Sequence, residues 1–324
     1  MSDKILEVSD LQIRYVTDEE TVRAVNGVSF TLERGESIGL VGETGAGKTT
    51  TALGIMGLVP DPPGEIVGGS ILFEDQDRLK LPEKQMREIR GGKISMIFQD
   101  PMTSLNPVMT VGAQIAEVVL LHNKISKAEA RERAKEMLEQ VGIPGSRCDD
   151  YPHQFSGGMK QRVMIAIALA CSPELLIADE PTTALDVTIQ AQVLELMRNL
   201  KKEYNTSLVL ITHDLGVVAK ICDKVAVVYA GEIIESGTLK DIYTDKRHPY
   251  TIGLFDSLPD IENDAATLKV IQGSVPDPSN LPEGCKFNPR CPYATEACRS
   301  GDIKPVKISD THMVRCNRFS DTEV

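Results

Sequence analysis

The stretch Gly42-Glu43-Thr44-Gly45-Ala46-Gly47-Lys48-Thr49 matches the pattern G-x-x-x-x-G-K-S/T, in which each fixed residue type has a chemical reason. Glycines let backbone N–H groups curve around a phosphate without a side chain in the way. Lys48 supplies a cation for the terminal phosphates, and the hydroxyl of Thr49 can ligate Mg²⁺. The stretch therefore predicts a loop that holds the phosphates of a nucleotide.

The segments on either side of this loop have the structure that the pattern requires. Ser37–Val41 is a short apolar run, which predicts a buried strand. A helix is predicted from Lys48 to about Gly57, and its positive end would point at the phosphates. A strand before the glycines and a helix after them favour a P-loop nucleotide-binding fold over a chance match.

Two acidic residues follow a second apolar strand. The predicted strand Leu175–Ala178 ends at Asp179 and Glu180. A carboxylate at such a strand end can hold Mg²⁺, directly or through water. A second carboxylate beside it can orient or polarise an attacking water molecule. With the lysine loop upstream, this pair predicts a hydrolytic site rather than two solvated acids.

A second candidate anion site is formed by Ser156, Gly157 and Gly158, which precede the apolar helical stretch Val163–Cys171. Ser156 can cap that helix, and the two glycines leave its first N–H groups exposed. One ATP does not need two phosphate cradles in one fold. We therefore predict a head-to-tail dimer in which this loop closes on ATP held by the other subunit.

Strands and helices alternate through most of the chain. Further strands are predicted at Lys93–Phe98, Ser207–Thr212 and Lys224–Tyr229, and a helix with a capping box at Ser126 and Glu129. The alternation predicts an α/β fold with a largely parallel sheet. The segment of about 100–171 is mainly helical and interrupts the alternation, as an inserted subdomain would.

Composition limits the classes of protein that fit. The chain has 324 residues, 41% apolar and 25% charged, with a formal net charge of −12. That charge argues against a non-specific nucleic-acid binder, which needs a basic face. The longest apolar run, Val163–Cys171, is half of what a membrane-spanning helix requires, and the first residues lack a signal layout. We therefore expect a cytoplasmic location.

Four cysteines crowd into the last forty or so residues: Cys285, Cys291, Cys298 and Cys316. In a reducing compartment such a cluster indicates metal binding rather than disulfides. Four thiolates can hold a tetrahedral metal ion or an iron–sulfur cluster. None of the spacings is C-x-x-C, which weakens the zinc-ribbon interpretation and leaves both alternatives open.

Six motifs occur in the order typical of ABC ATPases, so residues of about 5–258 resemble that family. The motifs are Gly42–Thr49 (Walker A), Gln99 (Q-loop), Phe155–Gln161 (signature loop), Leu175–Glu180 (Walker B), Ala184-Leu185-Asp186 (D-loop) and His213 (switch histidine). The resemblance implies an ATPase that works on membrane partners.

The resemblance also implies roles for individual residues. Glu180 would polarise the attacking water, with His213 and Gln99 positioning it. Mg²⁺ would be held by Thr49, Gln99 and Asp179. The residues implied in nucleotide binding are Tyr15, Gly42, Glu43, Thr44, Gly45, Ala46, Gly47, Lys48, Thr49, Thr50, Gln99, Ser156, Gly157, Gly158, Asp179 and Asp186.

The C-terminal part is similar to the extension of the dipeptide/oligopeptide (peptide/nickel) importer ATPases. The resemblance rests on Arg247–Thr251, on Cys285–Pro292 and on Phe155–Arg162. The segment of about 261–324 is predicted to be loop-rich, because its prolines leave little room for long helices: Pro276, Pro278, Pro282, Pro289, Pro292 and Pro305. The resemblance implies that this segment is an extension that follows a nucleotide-binding domain at 5–260 and carries a 4Fe-4S cluster on its four cysteines, with Zn²⁺ as the alternative.

That resemblance implies partners and a location as well. The partners would be a second ATPase subunit (a paralogue), two transmembrane permease subunits and, indirectly, an extracytoplasmic solute-binding protein. The chain would lie peripherally on the cytoplasmic face of the membrane. Two rival interpretations remain: a soluble ABC protein of translation or DNA repair, and a metal- or redox-sensing regulator with an ATPase core.

Overall fold

The computed structural model describes residues 3–100, 104–183, 185–258 and 270–320. These residues form two compact units, each built from separate stretches of the chain. The first unit contains the N-terminal residues up to Leu6, Thr31–Ser37 and Leu72–Thr212. The second unit contains Glu7–Phe30, Ile38–Ile71 and the chain from His213 onward.

The strands of the described residues include each of the strands that the sequence predicts. They are β1 (Lys4–Val16), β2 (Thr21–Glu33), β3 (Ser37–Val41), β4 (Gly64–Phe73), β5 (Gln76–Asp77), β6 (Ile94–Ile97), β7 (Leu175–Asp179), β8 (Ser207–Thr212), β9 (Lys224–Tyr229), β10 (Glu232–Thr238), β11 (Val306–Lys307) and β12 (Met313–Val314).

The α-helices likewise include those that the sequence predicts. They are α1 (Lys48–Met56), α2 (Glu83–Ile89), α3 (Val111–His122), α4 (Lys127–Gln140), α5 (Gly157–Leu169), α6 (Val187–Tyr204), α7 (Leu215–Ile221), α8 (Leu239–Thr244) and α9 (Pro249–Asp256).

The first unit is built around three parallel strands. β7 pairs with β6 on one side and β8 on the other, and every residue of the three strands is buried. Parallel strands that are covered on both faces have continuous apolar sequences, which is why these segments could be predicted. Helices α3, α4 and α5 pack on one another within the predicted helical segment of about 100–171.

Helix α4 shows how local sequence fixes an element of this helical group. The Ser126 hydroxyl accepts the N–H of Glu129, and the Glu129 carboxylate accepts the N–H of Ser126, so the predicted capping box is confirmed. Ala130, Ala134 and Met137 are fully buried along one face. The spacing of these residues at three and four positions makes that face.

The second unit combines parallel and antiparallel pairing. β3 pairs in parallel with β9, but β9 with β10, β10 with β12 and β12 with β11 are all antiparallel. A separate four-stranded sheet has the order β2-β1-β4-β5. The pairing in this unit is therefore mixed, and the prediction of a largely parallel sheet holds for β6, β7 and β8 and for the pairing of β3 with β9.

The C-terminal segment joins the second unit through β12. Val314 lies opposite Glu235 of β10, and the ring of His312 contacts the Glu235 carboxylate at 2.9 Å. Both side chains are almost completely buried, at 2% and 0% exposure, so this contact anchors the segment inside the protein. The Glu235 carboxylate also accepts the N–H groups of Arg247 and His248.

The rest of that segment is rich in turns, as its prolines predict. The predicted domain boundary at 260/261 lies outside the described residues. No helix in the described ranges combines the length and the apolar character that a membrane span needs.

Candidate functional site

The phosphate loop of the second unit is closely packed between β3 and α1. A Cβ atom on Gly42 would lie 2.1 Å from the carbonyl oxygen of Val228, and one on Gly47 would lie 2.2 Å from that of Ala24. Side chains cannot fit at either position. The glycine pattern is therefore required by the backbone packing of this unit as well as by room for a phosphate.

Lys48 lies at the centre of this loop with only 6% of its surface exposed. Its ammonium donates to the carbonyl oxygens of Gly42 (2.8 Å) and Glu43 (3.0 Å). At the start of α1, Gly47 offers no side-chain cap and the first turn has no acidic residue. A buried cation beside uncapped helix N–H groups can bind an anion.

The other residues of the second unit that are predicted to act at the nucleotide site differ in their exposure. Thr44, Gly45 and Thr49 are exposed, as is His213, which directly follows β8 in the sequence. Tyr15 is half-buried near the end of β1, where its ring packs against Gly64.

The first unit brings Gln99 and Glu180 together. The Gln99 amide donates to Glu180 Oε2 at 3.0 Å, and the Thr183 hydroxyl donates to the same oxygen at 2.9 Å. Asp179, the last residue of β7, is buried with 2% exposure. Glu180 has a positive φ of 46°, a costly conformation for a non-glycine residue that is common at functional sites.

Thr183 was not predicted from the sequence. Thr183 follows Glu180 by three residues in the turn after β7, and it lies between the motif that ends at Glu180 and the motif that begins at Ala184. Its hydroxyl helps to fix the direction of the carboxylate.

The serine–glycine loop of the first unit begins α5. Ser156 accepts the N–H of Met159 at 3.4 Å, so the predicted cap is present. Phe155 is buried, and the Arg147 guanidinium lies 4.2 Å from its ring centre. Ser156 and Gly157 remain exposed, so the loop presents its polar groups at the surface of this unit.

Asp186 of the predicted D-loop has a structural contact. Its carboxylate caps α6 by accepting the N–H of Ile189 at 2.9 Å. Ala184, of the same motif, lies outside the described residues.

The four C-terminal cysteines are electrostatic neighbours. Burial, with a smaller contribution from the negative charge of the other three thiols, raises the pKa of Cys285 to about 11. Burial also raises the pKa of Cys291 and Cys316. At Cys298 burial is outweighed by hydrogen bonds from Thr295, which lower the pKa.

These cysteines do not form a ligand set in the structure. Nowhere in the described ranges is there a group of three or more His, Cys, Asp and Glu side chains that could hold a metal ion. The predicted iron–sulfur or zinc site in the extension is therefore not supported by the geometry.

Arg290 is a residue that the sequence analysis missed. Its guanidinium pairs with the Glu43 carboxylate of the phosphate loop, with distances of 2.8 and 3.2 Å. Burial lowers the pKa of Arg290, but the hydrogen bonds to Glu43 and Tyr229 outweigh that effect and raise the pKa. The two partners are far apart in the sequence, so no local pattern could have revealed the pair.

Comparison with known proteins gives two family matches. Residues 25–183 match the family described as ABC transporter, and residues 234–298 match the Oligopeptide/dipeptide transporter, C-terminal region. The chain is similar to the Oligopeptide transport ATP-binding protein AppD of Bacillus subtilis, with 52% identity over 98% of this chain and 97% of the relative. It is also similar to the Oligopeptide transport ATP-binding protein OppD of Escherichia coli, with 51% identity over 92% and 89%.

Solved structures agree with the family match. The chain resembles the dimeric post-hydrolysis state of the ATP-binding cassette MJ0796 bound to ADP and Pi, with a TM-score of 0.65 and 27% identity. That match covers 72% of this chain and 98% of the other. The chain therefore belongs to the ABC transporter ATPase family, in the branch with the oligopeptide/dipeptide C-terminal region, and it is an ATP-binding and ATP-hydrolysing subunit.

Proposed function

We propose that this chain powers the uptake of dipeptides or oligopeptides through separate membrane subunits. This proposal rests on the similarity to an oligopeptide transport ATP-binding protein, which extends over 98% of the chain and includes the C-terminal region. We assign residues 5–260 to the nucleotide-binding domain, 100–171 to its helical subdomain and 261–324 to the extension. The turn-rich described part of the extension agrees with this assignment.

The phosphate loop would bind ATP through its backbone N–H groups and Lys48. The Lys48 ammonium, which now bonds to the loop's own carbonyl oxygens, would turn to the β- and γ-phosphates. Thr49 and Asp179 would hold Mg²⁺ with Gln99, and Tyr15 would stack on the adenine. The chemistry supplied by the metal is charge neutralisation at the phosphates.

Hydrolysis would depend on Glu180, held by Gln99 and Thr183. A carboxylate fixed by two donors can orient a water molecule without first reorganising, which is the main source of catalysis in phosphoryl transfer. His213 would help to position that water. The Ser156–Gly158 loop, in which Ser156 and Gly157 are exposed, and Asp186 would complete the site of a second ATPase subunit, a paralogue, in a head-to-tail dimer.

The membrane partners would dock near residues 99–114. Val108 is 79% exposed, a large apolar surface for a loop residue. The loop that contains Val108 is held in place by the buried Gln114, whose side chain bonds to the backbone of Asn106 and Met109. The chain would therefore lie on the cytoplasmic face of the membrane against two permease subunits, which receive solute from an extracytoplasmic binding protein.

Affinity purification of the chain from membranes should recover two polytopic membrane proteins and a second ATPase. In proteoliposomes containing that assembly, a loaded peptide-binding protein should stimulate ATP hydrolysis and drive uptake of labelled peptide. Accumulation of nickel without peptide uptake, or an absence of membrane partners, would contradict the peptide proposal while leaving the ATPase assignment intact.

A substitution pair tests the role of the serine–glycine loop. A Cβ on Gly157 meets nothing within 4 Å, whereas one on Gly158 would lie 2.6 Å from Ile189 Cγ2. Gly157→Ala should therefore leave the Tm unchanged but lower ATP turnover about 100-fold, because its methyl group obstructs the phosphate. Gly158→Ala should instead cost about 1–3 kcal/mol of stability. Full turnover in Gly157→Ala would contradict the assigned contact.

We further propose that Cys285, Cys291, Cys298 and Cys316 ligate a 4Fe-4S cluster, with Zn²⁺ as the alternative. Support comes from the Cys285 N–H, which donates to the Cys298 carbonyl oxygen at 2.9 Å and so holds two of the four cysteines next to each other. Because the thiols do not close into a ligand set, they would have to deprotonate and converge as the metal binds.

Anaerobically purified protein should be brown and contain iron and sulfide at four of each per chain, the ratio expected of such a cluster. Cys298→Ser should abolish the colour, while Cys148→Ser, at a buried cysteine of the other unit, should retain it. Stoichiometric zinc in colourless protein would favour the zinc site over the 4Fe-4S cluster. Protein without any metal would contradict both assignments.

A further inference from the structure

Arg290 joins the C-terminal extension to the phosphate loop by a partly buried ion pair with Glu43. Its side chain is 6% exposed, and both terminal nitrogens bond to the Glu43 carboxylate, Nη1 to Oε2 at 2.8 Å and Nη2 to Oε1 at 3.2 Å. This paired geometry is the strong, directional form of an arginine–carboxylate contact. The pair therefore fixes the direction of the Glu43 side chain.

The guanidinium is itself fixed by other groups. Its Nε donates to the Gln272 carbonyl oxygen at 3.0 Å, and its terminal nitrogens also donate to the Tyr229 hydroxyl (3.3 Å) and the Ile271 carbonyl oxygen (3.4 Å). The guanidinium therefore has partners beyond Glu43 on every nitrogen. Because the Arg290 guanidinium is already held in this way, it loses little further conformational freedom when it pairs with Glu43.

A second contact fixes the backbone of the same loop residue. The Tyr250 hydroxyl accepts the N–H of Glu43 at 3.0 Å. Phe287, from the extension, is 2% exposed and packs edge-on against both Tyr229 and Tyr250, with ring centres 5.3 and 5.4 Å apart. The extension thus supports the loop through an aromatic cluster as well as through Arg290.

Glu43 connects these supports to the phosphate site. Its carbonyl oxygen accepts from the Lys48 ammonium at 3.0 Å, so the residue is held through its N–H, its side chain and its carbonyl group. The neighbouring Thr44 and Gly45 are exposed. Holding one end of the loop lowers the entropy that nucleotide binding must remove.

We propose that Arg290 is a positioning residue for nucleotide binding, through which the C-terminal extension holds the phosphate loop in its binding conformation. The proposal rests on the assigned role of that loop and adds a reciprocal effect. Because coupling between two sites is mutual, bound nucleotide must stabilise the extension to the same extent that the extension favours nucleotide.

Arg290→Met removes the charged fork and keeps an apolar side chain of similar reach. The full-length variant should bind ATP about tenfold more weakly, within the range typical of coupled sites. In the assembled transporter, the KM for ATP should rise similarly while kcat changes less than about twofold, since Arg290 does not contact the reacting atoms. Arg299→Met, at an exposed ion pair of the same segment, should leave both values unchanged.

A double-mutant cycle separates positioning from general damage. If the pair acts as a unit, Glu43→Gln combined with Arg290→Met should weaken ATP binding no more than the larger single effect. Independent, additive losses would overturn the proposal, as would unchanged affinity in folded Arg290→Met.

Hydrogen exchange provides the reciprocal measurement. ATP should slow amide exchange within residues 285–298 of the wild type, and this protection should be lost in Arg290→Met at saturating ATP. Equal protection in both proteins would overturn the proposal. A wild type that does not bind ATP would contradict the loop assignment instead, so the two failures are distinguishable.

Discussion

Replacing Glu180 by glutamine should lower ATP turnover by about 10²–10⁴-fold and leave ATP binding intact. Glutamine has the same shape but cannot polarise the attacking water as a carboxylate does. The site keeps its nucleotide but cannot cleave it, so a closed dimer should accumulate with the second ATPase subunit. Phosphate release in single-turnover experiments and the dimer fraction by light scattering measure the two effects.

The matched control is Glu174→Gln, at the residue before β7. Glu174 pairs with Arg34 and Lys93 at the surface, and exposed pairs of this kind contribute about 1 kcal/mol or less. Its turnover should equal that of the wild type. If Glu180→Gln turned over at the normal rate, Glu180 could not be the group that orients the water.

Thr183 helps to fix the position of the Glu180 carboxylate. Its hydroxyl and the Gln99 amide donate to the same Glu180 oxygen, and the backbone N–H of Glu180 donates to Ile211 at 2.8 Å. These contacts hold an otherwise unfavourable φ at Glu180. The geometry therefore supports a site prepared before the nucleotide arrives, as electrostatic preorganisation requires.

Local sequence predicted the elements that carry the site because each is specified by nearby residues. The run Ser37–Val41 is buried throughout and became β3, and the cap at Ser156 became the start of α5. Strands covered on both faces need continuous apolar residues, and a side-chain acceptor such as the Ser156 hydroxyl favours the start of a helix. Both requirements are visible within about ten residues.

The alternating strand β2 and the short strands β11 and β12 were missed for a related reason. In β2 the residues Val28, Phe30 and Leu32 are buried, while the residues between them are exposed. This alternation gives a weaker signal than a continuous apolar run, so it does not set β2 apart from the chain around it. The four residues of β11 and β12 are too few to show any period.

Contacts between distant residues were beyond the reach of any local pattern. Arg290 and Glu43 are 247 residues apart, and the His312 contact to Glu235 spans 77. Nothing in the sequence around Arg290 indicates which carboxylate it will meet. The cysteine spacing predicted a metal site, but the described residues contain no group of three or more side chains that could hold a metal ion.

Replacing Lys48 by alanine should weaken ATP binding about 100-fold or more. The ammonium is the only buried cation bonded to the phosphate loop's own carbonyl oxygens within the described residues, at Gly42 and Glu43. Exchanging two neutral acceptors for the phosphates of ATP gives hydrogen bonds in which donor and acceptor are both charged, each about 1.5–3 kcal/mol. Two such bonds correspond to roughly 100-fold or more in affinity.

Fluorescent ATP analogues should report this loss directly, with Lys220→Ala, at an exposed lysine of the same unit, as the matched control. The Lys48→Ala chain should remain folded, because Gly42 and Gly47 fix the loop backbone through their contacts with Val228 and Ala24. Circular dichroism would establish this. A folded Lys48→Ala protein with wild-type affinity would mean that the loop binds nucleotide through its backbone alone, and the cation would have no part in recognition.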